Sequence, residues 1–191
     1  MQTTDSLTIQ IARAESLSDT DRDNIIAMCN RAYGEELEPL LKTFTSPTHC
    51  LGFCEQRLVS HAMWVPRYLQ AGANPALLRT AYIEMVATDA PYRKRGFASA
   101  IMRRVAAEIQ DFDLAALSPF SVAYYAKLGW EAWRGPLFTR TEQGLVPTDA
   151  EETVMILRLA KTPPLDVNAS LSAEWRVGEL SPRVAGQDRA G

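Results

Sequence analysis

Only three cysteines and two histidines occur among the 191 residues, too few for a disulfide framework or a Cys/His metal centre. Cys29, Cys50 and Cys54 form an odd set, and the last two lack the second ligand pair that a zinc site requires, so free, partly buried thiols are expected. No apolar run approaches the roughly 18 residues of a membrane span, and Met1–Gln10 lacks a basic-then-apolar signal. The expectation is a soluble, cytoplasmic protein that needs no membrane partner. An excess of basic charge is missing as well. Formal net charge is −3 and the isoelectric point about 5.5, which argues against general nucleic-acid binding. No internal repeat is present. There is no Gly-x-Gly-x-x-Gly after the first strand and no acidic residue about 20 positions on, which argues against dinucleotide binding. What is present is 47% apolar composition, enough for the chain to bury its own core. One domain is expected over 1–180, followed by a polar, small-residue-rich tail over 181–191.

Periodicity sets the elements. Leu7, Ile9 and Ile11 alternate with polar residues, as in a half-buried strand. Ser18 and Asp19 offer N-cap chemistry to a helix whose Ile25, Met28, Cys29, Ala32 and Tyr33 share one face and which Gly34 ends. After Glu35-Glu-Leu-Glu38 and Pro39, a second short helical segment leads to the turn at Ser46-Pro47. Cys50–Cys54 and Leu58–Arg67 read as a β-hairpin, and a loop from Gln70 to Pro75 precedes a long strand from Leu78 to Thr88. A helix from Gly96 to about Ile109 follows, then a strand over Asp113–Ser118. A helical stretch from Ser121 to Leu128 stops at Gly129, and a strand spans Thr153–Leu159. This order gives an α+β fold with a mixed, mostly antiparallel sheet flanked by helices.

Arg93-Lys-Arg-Gly-Phe-Ala98 joins the long strand to its helix. A glycine-opened helix leaves several backbone N–H groups unpaired at the positive end of its dipole, and such a turn can seat a pyrophosphate. Arg93, Lys94 and Arg95 add charged donors, while Gly96 lets the backbone approach without a Cβ. Taken alone, the hexapeptide reads equally well as an ordinary loop with solvated cations.

Its surroundings carry the reading further. Arg93, Gly96 and Ala98 meet the Arg/Gln-x-x-Gly-x-Gly/Ala pattern of the GCN5-related N-acetyltransferase (GNAT) superfamily, which this chain resembles. The resemblance implies the GNAT fold, with a splayed pair of strands holding acetyl-CoA as cosubstrate. Val86, Ala87 and Thr88 would line the pantetheine and acetyl group, and Arg93, Lys94, Arg95, Gly96, Phe97 and Ala98 the phosphates. Tyr82-Ile-Glu-Met-Val-Ala87, Ala116-Leu-Ser118, Tyr125-Ala-Lys-Leu-Gly-Trp130 and Trp175-Arg-Val-Gly-Glu-Leu180 together resemble the aminoglycoside 2'-N-acetyltransferases. By that resemblance the C-terminal segment folds back on the acceptor pocket.

Amine acetylation needs a deprotonated nitrogen, a polarised thioester carbonyl and a proton for the leaving thiolate. The resemblance assigns the base to Glu84, a charge that is unexpected on a strand face shared with Tyr82 and Val86. It assigns the acid to Tyr125, since a phenol of ordinary pKa about 10 stays protonated at neutral pH. Tyr125 also reads as a core aromatic, and Tyr124 is its neighbour in register. The carbonyl would meet the Val86 N–H. A polycationic acceptor implies a carboxylate-lined pocket, for which the resemblance offers Glu35, Glu36, Glu84, Glu151 and Glu179, with Met85 and Ser118 beside them. Apart from the resemblance, Glu35, Glu36 and Glu38 read as a solvated loop. His61 reads as a satisfied sheet histidine and Trp175 as a packing anchor.

Two departures from the resembled enzymes bear on the substrate. Ten residues follow Ser181, where those enzymes end on acidic-Val-Trp. Several acidic positions carry glutamate in place of aspartate, moving each carboxylate by on the order of 1 Å. Both imply a remodelled pocket, such as one for kasugamycin, which has fewer amines. The expected activity is antibiotic resistance through 2'-N-acetylation of an aminoglycoside. Acetylation of another amine (a peptide N-terminus, a polyamine or a sugar amine) and a non-catalytic acyl-CoA-binding module are the alternatives. A homodimer is compatible with the sequence.

Overall fold

The structure, a computed structural model, describes residues 6–74 and 76–175. The chain divides into two compact units, Met1–Pro66 with Ala81–Asp111 and Arg67–Thr80 with Phe112–Gly191. Among the described residues no helix is long and apolar enough to cross a membrane.

In the first unit, β1 (Thr8–Arg13) pairs antiparallel with β2 (Thr48–Cys54), and β2 with the start of β3 (Arg57–Ala71). The β2–β3 turn is Glu55-Gln56, both with positive φ, the handedness that suits a two-residue hairpin. β4 (Leu78–Thr88) lies beside β3. Every residue of β3 from Leu58 to Val65 is buried, as expected of a strand covered on both faces. The covers are two helices. α1 (Asp19–Tyr33) starts where the sequence places it, its N-cap Ser18 forming a capping box with Asp21, and ends on left-handed Gly34. Its Cys29 Sγ lies 3.8 Å from His61 Nδ1. α3 (Phe97–Glu108) covers the opposite face: Cys50 Sγ points to the Ile101 carbonyl, and a Cβ on Gly52 would sit 3.1 Å from the Ile101 side chain. A four-residue α2 (Glu38–Leu41) follows the Gly34 turn.

In the second unit, β5 (Leu114–Leu117) pairs antiparallel with β9 (Met155–Arg158), which also pairs with the two-residue β6 (Glu131–Ala132). α4 (Val122–Ala126) follows β5. Reciprocal bonds between Arg79 and Asp113 tie the start of β5 to the first residues of β4. β10 (Leu171–Glu174) runs antiparallel to the last residues of β3 and parallel to β7 (Leu137–Thr141), which turns back into β8 (Gly144–Pro147). Gly135 is obligatory at this docking, because a Cβ there would fall 1.8 Å from the Ala169 carbonyl oxygen.

The parallel β10–β7 pair among antiparallel partners makes the sheet mixed, and the class is α+β as the sequence implies. β3 runs beyond the expected Arg67 to Ala71, and β6, β7, β8 and β10 are additions to the sequence reading. All three cysteines are free, and all are fully buried rather than partly so.

Candidate active site

The C-terminal end of β4 departs from a regular strand. Met85 has φ 53°, outside the β region and costly for a side chain of this size. Beyond it Val86 and Thr88 are half-buried while Met85 and Ala87 are buried. Four consecutive carbonyls there each accept from a side chain. His61 Nδ1 lies 2.9 Å from Met85 O, Tyr33 Oη 3.1 Å from Val86 O, Ser60 Oγ 3.1 Å from Ala87 O and Arg93 Nε 3.2 Å from Thr88 O. The strand end is held by side chains, which fixes an irregular backbone that pairing alone would not.

The turn that follows is knotted to its neighbours through Asp89, which is 3% exposed. Its carboxylate takes Arg31 of α1 at 3.1 Å and Arg57 of β3 at 2.8 Å, and its N–H donates to Val59 O. Burial raises the Asp89 pKa and the two guanidiniums lower it, with a net shift downward. The Arg93 guanidinium also donates to Ala32 O at 3.0 Å, so it braces the turn against α1. Lys94 (φ 62°) and Gly96 (φ 81°) are left-handed, and Gly96 caps α3 with no side-chain hydrogen bond and no acid in the first turn. Lys94 and Arg95 are exposed, and Arg95 stacks 5.1 Å over the Tyr92 ring. This donor set fits a pyrophosphate: a dipole end without its own acceptor, two exposed cations, and no Cβ at the closest approach. Phe97 is buried and Ala98 half-buried, so only their backbone groups are suited to face a ligand.

On the other side of the β4 end stands Tyr33, the last residue of α1. The sequence assigns it to the buried stripe, but its ring is 46% exposed and its hydroxyl reaches Val86 O. Burial first, then the fields of Cys29, Glu84 and Glu35, push its phenol well above the usual range. Glu84 is half-buried on β4, and Glu35 is exposed beyond Gly34. Glu36 turns back, accepting from Asn30 Nδ2 at 3.0 Å, while Asn30 Oδ1 accepts from Leu37 N. Tyr33 and Asn30 are the residues missed by sequence reasoning; a tyrosine just before a helix-ending glycine, amphipathic and at the helix rim, is the signal that points to the first.

In the second unit, Tyr125 is 2% exposed and makes edge contacts with Phe120, Tyr124 and Trp130, at ring separations of 5.4, 5.0 and 6.1 Å. Ser118 is exposed just after β5, and Glu151 is exposed in the loop between β8 and β9. Trp175 is 40% exposed, more than a packing anchor would be. Glu179 and the 181–191 segment lie outside the described residues. His61 is fully buried and hydrogen-bonded, as the sequence suggests. Burial pushes the Cys29 and Cys50 thiols up to about 12, which removes them as thiolate nucleophiles. No cluster of metal-ligating side chains occurs among the described residues.

The chain resembles known proteins in sequence and in fold. Residues 13–133 match the acetyltransferase (GNAT) domain. The chain is 30% identical over 129 residues to an aminoglycoside 2'-N-acetyltransferase of Mycolicibacterium fortuitum, an alignment covering 64% of this chain and 65% of that protein. The chain therefore spans just under two thirds of that relative's length. Its fold resembles a GNAT family N-acetyltransferase from Escherichia coli solved in complex with CoA (TM-score 0.62, 14% identity, 91% of this chain and 93% of that one). It also resembles a GCN5-related N-acetyltransferase from Kribbella flavida (TM-score 0.54, 19% identity, 68% of this chain and 34% of that one). The matched segment holds the irregular end of β4, the Gly96 turn and Tyr125, and on this match the chain belongs to the GNAT acetyltransferase domain family.

Proposed function

We propose that the protein is an acetyl-CoA-dependent N-acetyltransferase whose acceptor is a 2'-amino group of an aminoglycoside. The observation that carries the acetyl-CoA part is the open, acid-free N-terminus of α3 directly beyond the irregular end of β4. Bound acetyl-CoA supplies the activated acetyl thioester. Lys94, Arg95 and the first-turn amides of α3 hold its phosphates, while Arg93 and Asp89 keep the turn in shape. The Val86 N–H is the donor toward the reacting carbonyl. Glu84 takes the proton of the acceptor amine, directly or through one water, and Tyr125 Oη donates a proton to the leaving sulfur.

The aminoglycoside part rests on the likeness to the Mycolicibacterium fortuitum enzyme and on Glu35 and Glu84, whose charges both act on the Tyr33 phenol. Glu36 is engaged by Asn30, which favours an acceptor with few amines, of the kasugamycin type, over a kanamycin-like polycation. Ser118, Glu151 and Glu179 complete the proposed acceptor set.

A thiol-release assay with acetyl-CoA tests this against kanamycin-type, gentamicin-type and kasugamycin-type compounds, with a peptide and a polyamine as contrasts. CoA release with an aminoglycoside is expected. Turnover with only the peptide or polyamine would replace the acceptor, and no release with any amine would leave a binding module. Glu84→Gln and Tyr125→Phe should each lower kcat by roughly 100-fold or more with acetyl-CoA affinity nearly unchanged. A large loss of cofactor binding in either variant would show the roles to be misassigned.

A further inference from the structure

A cavity of about 270 Å³ lies in the first unit, away from the β4 end and the Gly96 turn. Its wall is formed by Leu17, Ile25, Phe44 and Met63, with Arg22, Glu38 and Lys42 also on the lining. The first four are buried apolar residues. The charged residues neutralise one another or are occupied: Lys42 pairs with Glu38 at 2.7 Å, and Arg22 donates to the carbonyls of Ala14 and Leu17. One buried polar side chain interrupts the apolar wall. His49, 6% exposed, lines the cavity with its ring.

The protons on its ring follow from its partners. Met85 O can only accept, so His61 carries its hydrogen on Nδ1, and the neutral ring leaves Nε2 as an acceptor. His49 Nδ1, 3.0 Å away, must then donate to it. That leaves His49 Nε2 as an acceptor, and no described protein group donates to it. Both imidazoles are held neutral, His49 down at about 4, by burial first and for His49 by the Arg22 charge next. The cavity is a cleft open to solvent on the side of Lys42 and Glu38, and at its buried, mainly apolar wall the neutral His49 ring offers one acceptor.

Water against the apolar wall of this cleft finds few polar partners beyond His49, so an apolar ring that displaces it gains buried area. Cavities of about 150 Å³ with apolar walls hold a benzene ring, and this one is larger. We propose that the cavity is a second small-molecule site, separate from the acetyl-transfer site, that takes a compact neutral apolar molecule bearing one hydroxyl or N–H donor, accepted by His49 Nε2. An anion would face the Nε2 lone pair. A cation would face Arg22. The occupant is therefore uncharged.

Phenol is the probe, used with the full chain. Saturable phenol binding by calorimetry is expected, together with a shift of the His49 Nε2 resonance in ¹⁵N-histidine spectra. Benzene, of the same shape without the donor, should bind at least ten-fold more weakly. His49→Phe removes the acceptor and should abolish binding. Because that change also cuts the bond to His61, a second variant is made at Leu41, which also lines the cavity: Leu41→Trp fills it and leaves the imidazoles in place. In Leu41→Trp phenol binding should be lost while acetyl-CoA binding is retained, which separates this site from the proposed activity. No saturable binding to folded wild-type protein, equal affinity for benzene and phenol, or undiminished phenol binding in Leu41→Trp would each overturn the proposal.

Discussion

The N-termini of α1 and α3 belong to the same unit and are built in opposite ways. At α1, Ser18 Oγ accepts from Asp21 N at 3.1 Å and the Asp21 carboxylate accepts from the Ser18 N–H and hydroxyl in return. Asp19 and Asp21 add negative charge to the first turn. At α3 there is only Gly96, left-handed and without a side chain, with no acid in the first turn and a run of cations before it. The first helix meets its own orphan N–H groups and dipole, and the second has neither a side-chain cap nor a first-turn acid to do so. A glycine N-cap costs only a few tenths of a kcal/mol against a serine, so the opening at α3 is cheap to keep.

Making α3 resemble α1 should have the largest effect. Gly96→Asp puts a carboxylate where the phosphates are to sit and a Cβ on a left-handed residue, and acetyl-CoA affinity measured by calorimetry should fall roughly 100-fold. Unchanged affinity would remove the α3 turn from the cofactor site. Acidification should then separate the two helices, since α1 contacts the buried imidazoles and α3 does not. The His49 and His61 pKa values lie below the unfolded value, so the stability they give is complete above about pH 6.5 and is lost as pH falls toward 4. Between pH 7 and 5 about 2 kcal/mol should go from His49. In hydrogen exchange, amides of α1 should lose protection before those of α3. Equal loss in both would show that the unit titrates as a whole. Third in size, Ser18→Ala should cost about 1 kcal/mol in urea unfolding and leave acetyl-CoA affinity unchanged. The smallest effect is expected of Lys94→Ala, a loss of about three-fold in acetyl-CoA affinity that shrinks as salt is added.

Both helices are legible in the sequence because their signals are local: an N-cap serine with an acid three residues on, and a glycine set after three cations. The hairpin and the α+β class follow from alternation in the same way. What could not be read is non-local. Alternation along Tyr82, Glu84 and Val86 carries no sign that Met85 adopts a positive φ, because its carbonyl is held by His61, on another strand. Nothing in the sequence around Arg93 shows that its guanidinium also donates to Ala32, sixty-one residues away. The stripe through Ile25, Met28, Cys29 and Ala32 extends to Tyr33 by period, and only the helix ending there frees the ring to reach β4. β7, β8 and β10 are short, and the residues of β7 and β8 are half-buried or exposed, so neither hydrophobic run nor strict alternation marks them.

The Asp89 knot has a kinetic consequence. With Arg31, Arg57 and Arg93 already tying the turn to α1 and β3 before any ligand arrives, no segment there has to order itself during capture. In stopped flow, acetyl-CoA should associate in a single exponential whose rate rises linearly with ligand concentration and does not reach a plateau. Asp89→Ala should turn that line into a saturating curve, exposing a slow isomerisation that the native turn has completed in advance.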